Sequence, residues 1–384
     1  MTPMRENGGD VIVVGAGLIG LAIAFELADR GASVRVFDRG EPGRGASWAG
    51  AGMLAPYTER ITDQAFLALG TASLAEYPAF VQRVYAASGV DARLHLNGVL
   101  YAAFEESELD ALHRHAQELR ARGVDCEMLD RAGVLAAEAW LSAGVIGGLI
   151  KSAEGYVDNR RLGRALVGAC QSSGVVVERS SRIAVECDDR RVLGVATARG
   201  FIAARSVVNA CGAWAAQLGG VPRCCLPPIK PVKGQMIALA VPVGFVRRAT
   251  WVPGAYLVPR DDGRLLVGAT VEPEAFDERV TARGVSELLD AALAGAPALA
   301  DFTPVESWAG LRPGTPDGLP ILGPTLLDGF FLATGHYRNG ILLAPATARL
   351  IANAIETNDV AGLEPFALGR FDTEVAAAKR STSA

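Results

Sequence analysis

The chain has 384 residues, half of them apolar and 21% charged, with a formal net charge of −5. That length accommodates two domains and a large core, and the composition is that of an ordinary globular enzyme. The acidic balance gives no support for nucleic-acid binding, and no run of 18 or more apolar residues marks a membrane span.

Residues 1–9 are polar and lack an apolar stretch behind a basic start, so they read as a loose tail and not as a signal peptide. Residues 10–39, DVIVVGAGLIGLAIAFELADRGASVRVFDR, then spell a βαβ opening. Residues 11–14 are a β-branched apolar run typical of a buried parallel strand. Residues 18–30 switch to helical spacing, and residues 33–37 form a second strand ending at Asp38. Between strand and helix stands Gly15-Ala16-Gly17-Leu18-Ile19-Gly20. Gly15 permits the tight turn, Gly17 lets a pyrophosphate approach the backbone, and Gly20 lets the helix pack closely on the sheet. The free N–H groups and the dipole of the helix start favour the phosphates, and Asp38 is spaced to accept from a ribose hydroxyl. With strand, helix and acid all in place, the motif predicts dinucleotide binding.

Residues 43–56, GRGASWAGAGMLAP, are small and glycine-rich where a second crossover helix would be expected. Because Trp48, Met53 and Leu54 are apolar, the segment reads as a loop laid against a large ligand and not as a linker. A helix is predicted over 62–87, a strand over 98–104, an amphipathic helix over 105–122, strands over 125–129 and 145–150, and a helix over 159–173. The loss of regular strand-helix alternation predicts a second, mixed sheet of α+β type inserted into the first domain. Residues 175–205 read as a β-meander and 206–211 as another buried strand, followed by a short helix at Gly212. Residues 230–240 and 256–270 read as two long strands, with a turn at 253–255, and 285–294 as a helix.

Residues 308–323, WAGLRPGTPDGLPILG, carry three prolines and four glycines around a single arginine and predict a rigid loop. A strand over 330–334 then leads through Gly335-His336-Tyr337-Arg338-Asn339-Gly340 into a helix from about Ile341 to Glu356. The cysteines at 126, 170, 187, 211, 224 and 225 lack metal spacing, and Cys224-Cys225 are poorly placed for a disulfide. Six free thiols in a reducing cytoplasm are expected. The four histidines do not form a metal set either, so no metal is expected.

Taken together, GAGLIG with Asp38, GASWAGAGML, YLVPR with GRLLVGAT, WAGLRPGTPDGLPILG and GHYRNGILLAPAT resemble the FAD-dependent amine oxidases of the D-amino-acid oxidase superfamily. The resemblance covers nearly the whole chain and is greatest to the glycine oxidases of the thiamine-biosynthesis type. It implies an α/β fold: a discontinuous Rossmann-like FAD-binding domain (10–90, 155–225 and 310–384) and an inserted α+β substrate domain (91–154 and 226–309) on a mixed, largely antiparallel sheet. Carried over, Leu18 and Ile19 would meet the pyrophosphate and Asp38-Arg39 the ribose. Ala46-Ser47 and Ala51-Gly52-Met53 would lie along the cofactor, and Ile183 would meet the adenine. His336, Tyr337, Arg338, Asn339, Gly340, Ile341 and Leu342 would sit at the isoalloxazine. Arg312 and the Tyr256 hydroxyl would hold the substrate carboxylate, with Arg338 nearby.

A guanidinium grips a planar carboxylate through two parallel hydrogen bonds, which a lysine cannot reproduce. Fixing it aims the Cα–H at flavin N5, so the implied chemistry is hydride transfer governed by positioning, with no dedicated base. The implied reaction converts glycine, sarcosine or small D-amino acids to an imine that hydrolyses, giving glyoxylate and ammonia from glycine, while O₂ becomes H₂O₂. The resemblance also implies non-covalent FAD, because 308–315 lacks a cysteine, and a possible homotetramer. Gly254 and Val271 stand where related enzymes place a histidine and a methionine around the pocket, which bears on substrate size. The alternatives are a dehydrogenase of D-amino or N-methyl amino acids using a quinone or protein acceptor, and a non-catalytic FAD-binding subunit.

Overall fold

In the computed structural model of the chain, strand Val11–Val14 lies inside a six-stranded sheet, paired in parallel with Val34–Asp38 on one side and Ser206–Asn209 on the other. The structure describes residues 10–59, 61–272 and 276–371, so the tail expected over 1–9 lies outside the described residues. Side chains alternate across a strand, and here they feed two different cores. Val11 and Val13 pack with helices Leu18–Asp29, Asn159–Ser172 and Ala344–Thr357, whereas Ile12 and Val14 pack with Phe37, Val185 and Val195. All four strand residues are at most 3% exposed, and each is worth about 1.5–3 kcal/mol by burial.

The second large sheet has eight strands. Its strand Lys230–Ala240 pairs antiparallel with Thr303–Gly314 and Arg264–Gly268, and the order continues through Ala255–Pro259, Ala249–Val252 and Val99–Ala103 to Gly147–Lys151 and Cys126–Asp130. Alternation again sorts the side chains. Leu257 faces the layer that contains helix Ala282–Gly295, while its neighbours Tyr256 and Val258 pack on the opposite side with Ala49 and Ala51. That second side turns toward the dinucleotide-type half, and it places Tyr256 there.

Several expectations need correction. Residues 176–179 are not part of a meander: Val176–Arg179 is the edge strand of the six-stranded sheet, and the antiparallel unit is Ile183–Cys187, Val192–Thr197 and Gly200–Ala203. The long strand expected over 256–270 is a hairpin, broken at Asp261-Asp262-Gly263, where Gly263 takes φ +84°. The rigid loop expected over 308–323 is largely strand. Thr303–Gly314 pairs along its length with Lys230–Ala240, and only 315–320 separate it from strand Ile321–Pro324. This strand runs through the domain boundary expected at 309/310. Its glycines serve close approach and not a turn: a Cβ on Gly310 would collide with the Ala49 methyl. The last helix begins at Ala344, three residues later than expected, after a turn over 341–343. Strand Ala249–Val252 and the small sheet of Met53–Leu54, Gly155–Val157 and Leu94–His95 had no clear sequence signal.

Among the described residues, no helix is long and apolar enough to cross a membrane.

Candidate active site

A cavity of about 580 Å³ runs from the glycine turn to Tyr256 and Arg312 on the eight-stranded sheet. Its size is that of a cofactor or small-ligand site. Of the residues singled out in the sequence, Gly15, Gly17, Ile19, Asp38, Arg39, Ala46, Ser47, Ala51, Gly52, Met53 and Ile183 line it, as do His336, Tyr337, Arg338, Gly340, Ile341, Tyr256 and Arg312. Leu18, Gly20, Asn339 and Leu342 are buried and do not line it. Gly254 and Val271 lie away from it as well: Gly254 sits in a hairpin turn at φ +80°, and Val271 is exposed.

At the turn, Gly15 adopts φ +111°, and a Cβ there would collide with the Ala210 carbonyl. A Cβ on Gly20 would in turn collide with the carbonyl of Gly15. The Leu18 N–H at the start of the helix donates to Ser47 Oγ at 3.0 Å, tying the covering loop to the turn. Asp38 lines the cavity and also braces the turn. Its Oδ2 accepts from the Ala16 N–H and its Oδ1 from the Gly40 N–H, both at 2.7 Å, so the carboxylate fixes the turn itself. Beyond it, the Arg39 guanidinium lies 4.0 Å from the Trp214 ring centroid.

The covering loop is held carbonyl by carbonyl. Asn159 Nδ2 donates to Ser47 O at 2.7 Å and Trp48 O at 3.1 Å, Trp308 Nε1 donates to Ala49 O at 2.9 Å, and Arg260 Nη2 donates to Ala51 O at 2.8 Å. Gly52 has φ +76°, and a Cβ there would collide with the Val157 carbonyl. Burial lowers Arg260 to about 10, partly opposed by Asp158, so it remains cationic at neutral pH. With these carbonyls drawn away, the glycine-rich stretch forms one wall of the cavity.

The opposite edge uses the same device. Tyr77 donates its hydroxyl to Ile341 O at 2.8 Å and Ser73 donates to Leu342 O at 2.7 Å. Among the described residues, the N–H groups of Gly340 and Ile341 take no acceptor. They line the cavity and favour an anionic or carbonyl group there. His336 is 3% exposed, its Nε2 is 3.1 Å from Thr347 Oγ1, and burial pushes it down to about 3, so it is neutral.

At the far end Arg312 projects from strand Thr303–Gly314. Its Nη1 donates to Lys233 O at 3.2 Å and Thr270 O at 3.1 Å, and among the described residues no carboxylate pairs with it. Tyr256 is buried on the adjoining surface, with its hydroxyl 4.0 Å from Met236 Sδ. Burial raises its pKa, opposed by Arg312 and Arg338, so it stays a neutral phenol. Arg338 pairs through Nε with Glu59 Oε2 at 3.3 Å. Glu59 lines the same end, and burial raises its pKa against the pull of Arg338 and Arg312. Sequence reasoning passed over Glu59, which belongs to no motif and reaches the site only through the fold.

The shape, the glycine approaches and the free N–H groups fit an extended dinucleotide with a ring system lying toward Arg312. Comparison with known proteins agrees. Residues 10–354 match the family described as DAO, FAD-dependent oxidoreductase, and the chain belongs to that family. FAD is accordingly its cofactor. The chain is 38% identical over 365 residues to a glycine oxidase of Geobacillus kaustophilus, covering 94% of this chain and 97% of that one. It is 39% identical over 367 residues to a bifunctional protein ThiO/ThiG of Synechocystis, covering 93% of this chain and 53% of that one. The crystal structure of glycine oxidase from Geobacillus kaustophilus superposes with a TM-score of 0.89 at 37% identity, covering 95% of this chain and 99% of that one. An iminodiacetate oxidase from Chelativorans sp. BNC1 superposes with a TM-score of 0.84 at 27% identity, covering 93% and 98%.

Proposed function

We propose that this chain oxidises glycine and similar small amines, including sarcosine and small D-amino acids, converting glycine, water and O₂ into glyoxylate, ammonia and H₂O₂. The observation that carries the reading is Arg312. Its guanidinium is braced by two backbone carbonyls, has no ion-paired carboxylate among the described residues and faces the cavity, so it is prepared to take a carboxylate from outside the chain. The Tyr256 hydroxyl, held protonated by burial, supplies a further donor on that surface.

FAD, when bound, supplies a two-electron acceptor that O₂ regenerates. The contribution of the chain is placement. Arg312 and Tyr256 fix the carboxylate, the tethered covering loop keeps the wall rigid, and the enclosed end excludes water, so the reacting carbon is held in one orientation. His336, neutral and bonded to Thr347, belongs to that wall and is not an acid or base.

The absence of a cysteine from 308–315 supports non-covalent FAD. The likeness to proteins named ThiO/ThiG supports a role in thiamine (thiazole) biosynthesis. Six free cysteines agree with a cytoplasmic setting, and the family resemblance alone is what suggests a homotetramer. The test is to supply glycine to the holoenzyme in air. Glyoxylate, ammonia and peroxide should appear in equal amounts, and a flavin-loaded protein that forms none of them rejects the reading.

A further inference from the structure

Glu59 takes no part in the proposed oxidation. It lies at the substrate end of the cavity, with a side chain only 14% exposed, and its carboxylate meets Arg338 at 3.3 Å. Nor is it a loosely placed surface acid. The turn that carries it is fastened from below by Glu154, 0% exposed, whose Oε1 accepts from the Tyr57 N–H at 2.6 Å and the Thr58 N–H at 2.9 Å. The Thr58 hydroxyl donates to Glu154 Oε2, and buried Lys151 donates to Thr58 Oγ1 at 2.9 Å. The Glu59 N–H closes the turn on Ala55 O at 3.0 Å. A buried ionic cluster thus holds one carboxylate against one guanidinium at the site.

Among the described residues, the charged side chains at this end include Arg312, Arg338 and Glu59, and these three are unevenly matched. Arg338 is paired with Glu59, whereas Arg312 is held by the Lys233 and Thr270 carbonyls and the neighbouring Tyr256 hydroxyl, and among the described residues no carboxylate stands at ion-pair distance from it. The geometry points to Glu59 as the specificity-determining residue that limits this site to amines carrying a single carboxylate. By cancelling Arg338 it leaves Arg312, among the described residues, as the open cation for the α-carboxylate. A second anionic group on the substrate would find Arg338 already paired and would face the Glu59 carboxylate in a poorly solvated cavity, an unfavourable juxtaposition of like charges. This inference rests on the proposed amine oxidation.

Sarcosine and iminodiacetate form a matched pair for the test: both are secondary amines on a glycine unit, with N-methyl in one and N-carboxymethyl in the other. In the unaltered holoenzyme kcat/KM for sarcosine should exceed that for iminodiacetate at least 100-fold. Glu59→Gln should narrow that ratio at least tenfold, chiefly through a lower KM for iminodiacetate, and adding Arg338→Gln to it should restore the discrimination. A general loss of folding or flavin cancels in the ratio. A ratio that Glu59→Gln leaves unchanged overturns the inference. Should that variant fail to retain flavin, two results still decide it. Equal use of the two amines by the unaltered enzyme overturns it, as does a narrowed ratio in Arg338→Gln alone. If the unaltered enzyme oxidises neither amine nor glycine, the proposed function falls and this inference with it. If it oxidises sarcosine while the ratio fails to respond, only the inference falls.

Discussion

Gly234 and Arg312 stand on neighbouring antiparallel strands, and the guanidinium fills the space that any side chain at 234 would need: an ideal Cβ there would stand 2.5 Å from Arg312 Cζ. The Arg312 guanidinium is therefore positioned by a missing side chain. Gly234→Ala should displace Arg312 without touching the glycine turn. The KM for glycine should rise about tenfold or more, which corresponds to about 1.4 kcal/mol, while the bound-flavin spectrum stays unchanged. Steady-state kinetics alongside the absorbance spectrum checks this.

Arg312 itself should matter more. Arg312→Ala should lower kcat/KM for glycine by about 2 to 5 kcal/mol, the usual cost of truncating one side of a buried charge pair. Arg312→Lys should recover only part of the loss, because an ammonium cannot form the two parallel hydrogen bonds. An unchanged KM in either variant would remove Arg312 from the carboxylate site.

Asp38 joins two N–H groups on either side of the cofactor turn. Hydrogen bonds to a charged group are worth about 1.5–3 kcal/mol each, so Asp38→Ala should loosen the turn as well as remove the proposed ribose acceptor. FAD should dialyse out of the variant at least ten times faster than from the unaltered protein, with a lower melting temperature in the apo form. Equal flavin retention would confine Asp38 to a minor structural part.

His336 carries a pH dependence whose sign follows from its burial. Folded, it is pushed down to about 3 from the ordinary value near 6.5, so between those values the unfolded chain binds a proton that the folded chain does not. Stability therefore rises with pH through that window and is complete above about 6.5. His336→Asn should flatten this acid-side slope, read as the difference in urea midpoint between pH 5 and pH 7.5. The activity profile of the unaltered enzyme should show no inflection from His336 near neutrality.

The parts of the molecule that are local in sequence were legible in sequence. The turn at Gly15 to Gly20, its flanking strand and helix, and the small-residue loop around Ala46 to Met53 announce themselves because each demand for a glycine falls within a few residues of its cause. Arg312 was found as a residue but misplaced as an element. Gly310 and Pro313 suggest a loop, whereas Gly310 is glycine because Ala49 packs on it from a distant part of the chain. The hairpin at Asp261-Asp262-Gly263 was hidden by the uninterrupted apolar character of its two buried strands. Glu59 carried no sequence signal at all, since its meaning depends on Arg338, far along the chain, and on a turn fixed by Glu154 and Lys151. Close packing and charge pairing between remote segments are what a single sequence conceals.

The central claim is that the cavity orients a small amino acid by its carboxylate for oxidation by bound FAD. An anaerobic titration of the yellow holoenzyme with glycine, followed by admission of air, tests it most directly. The account predicts that glycine bleaches the flavin absorbance, that the bleached fraction falls sharply in Arg312→Ala at the same glycine concentration, and that air restores the colour with release of peroxide. A flavin that stays oxidised in saturating glycine, sarcosine and D-alanine alike would contradict it.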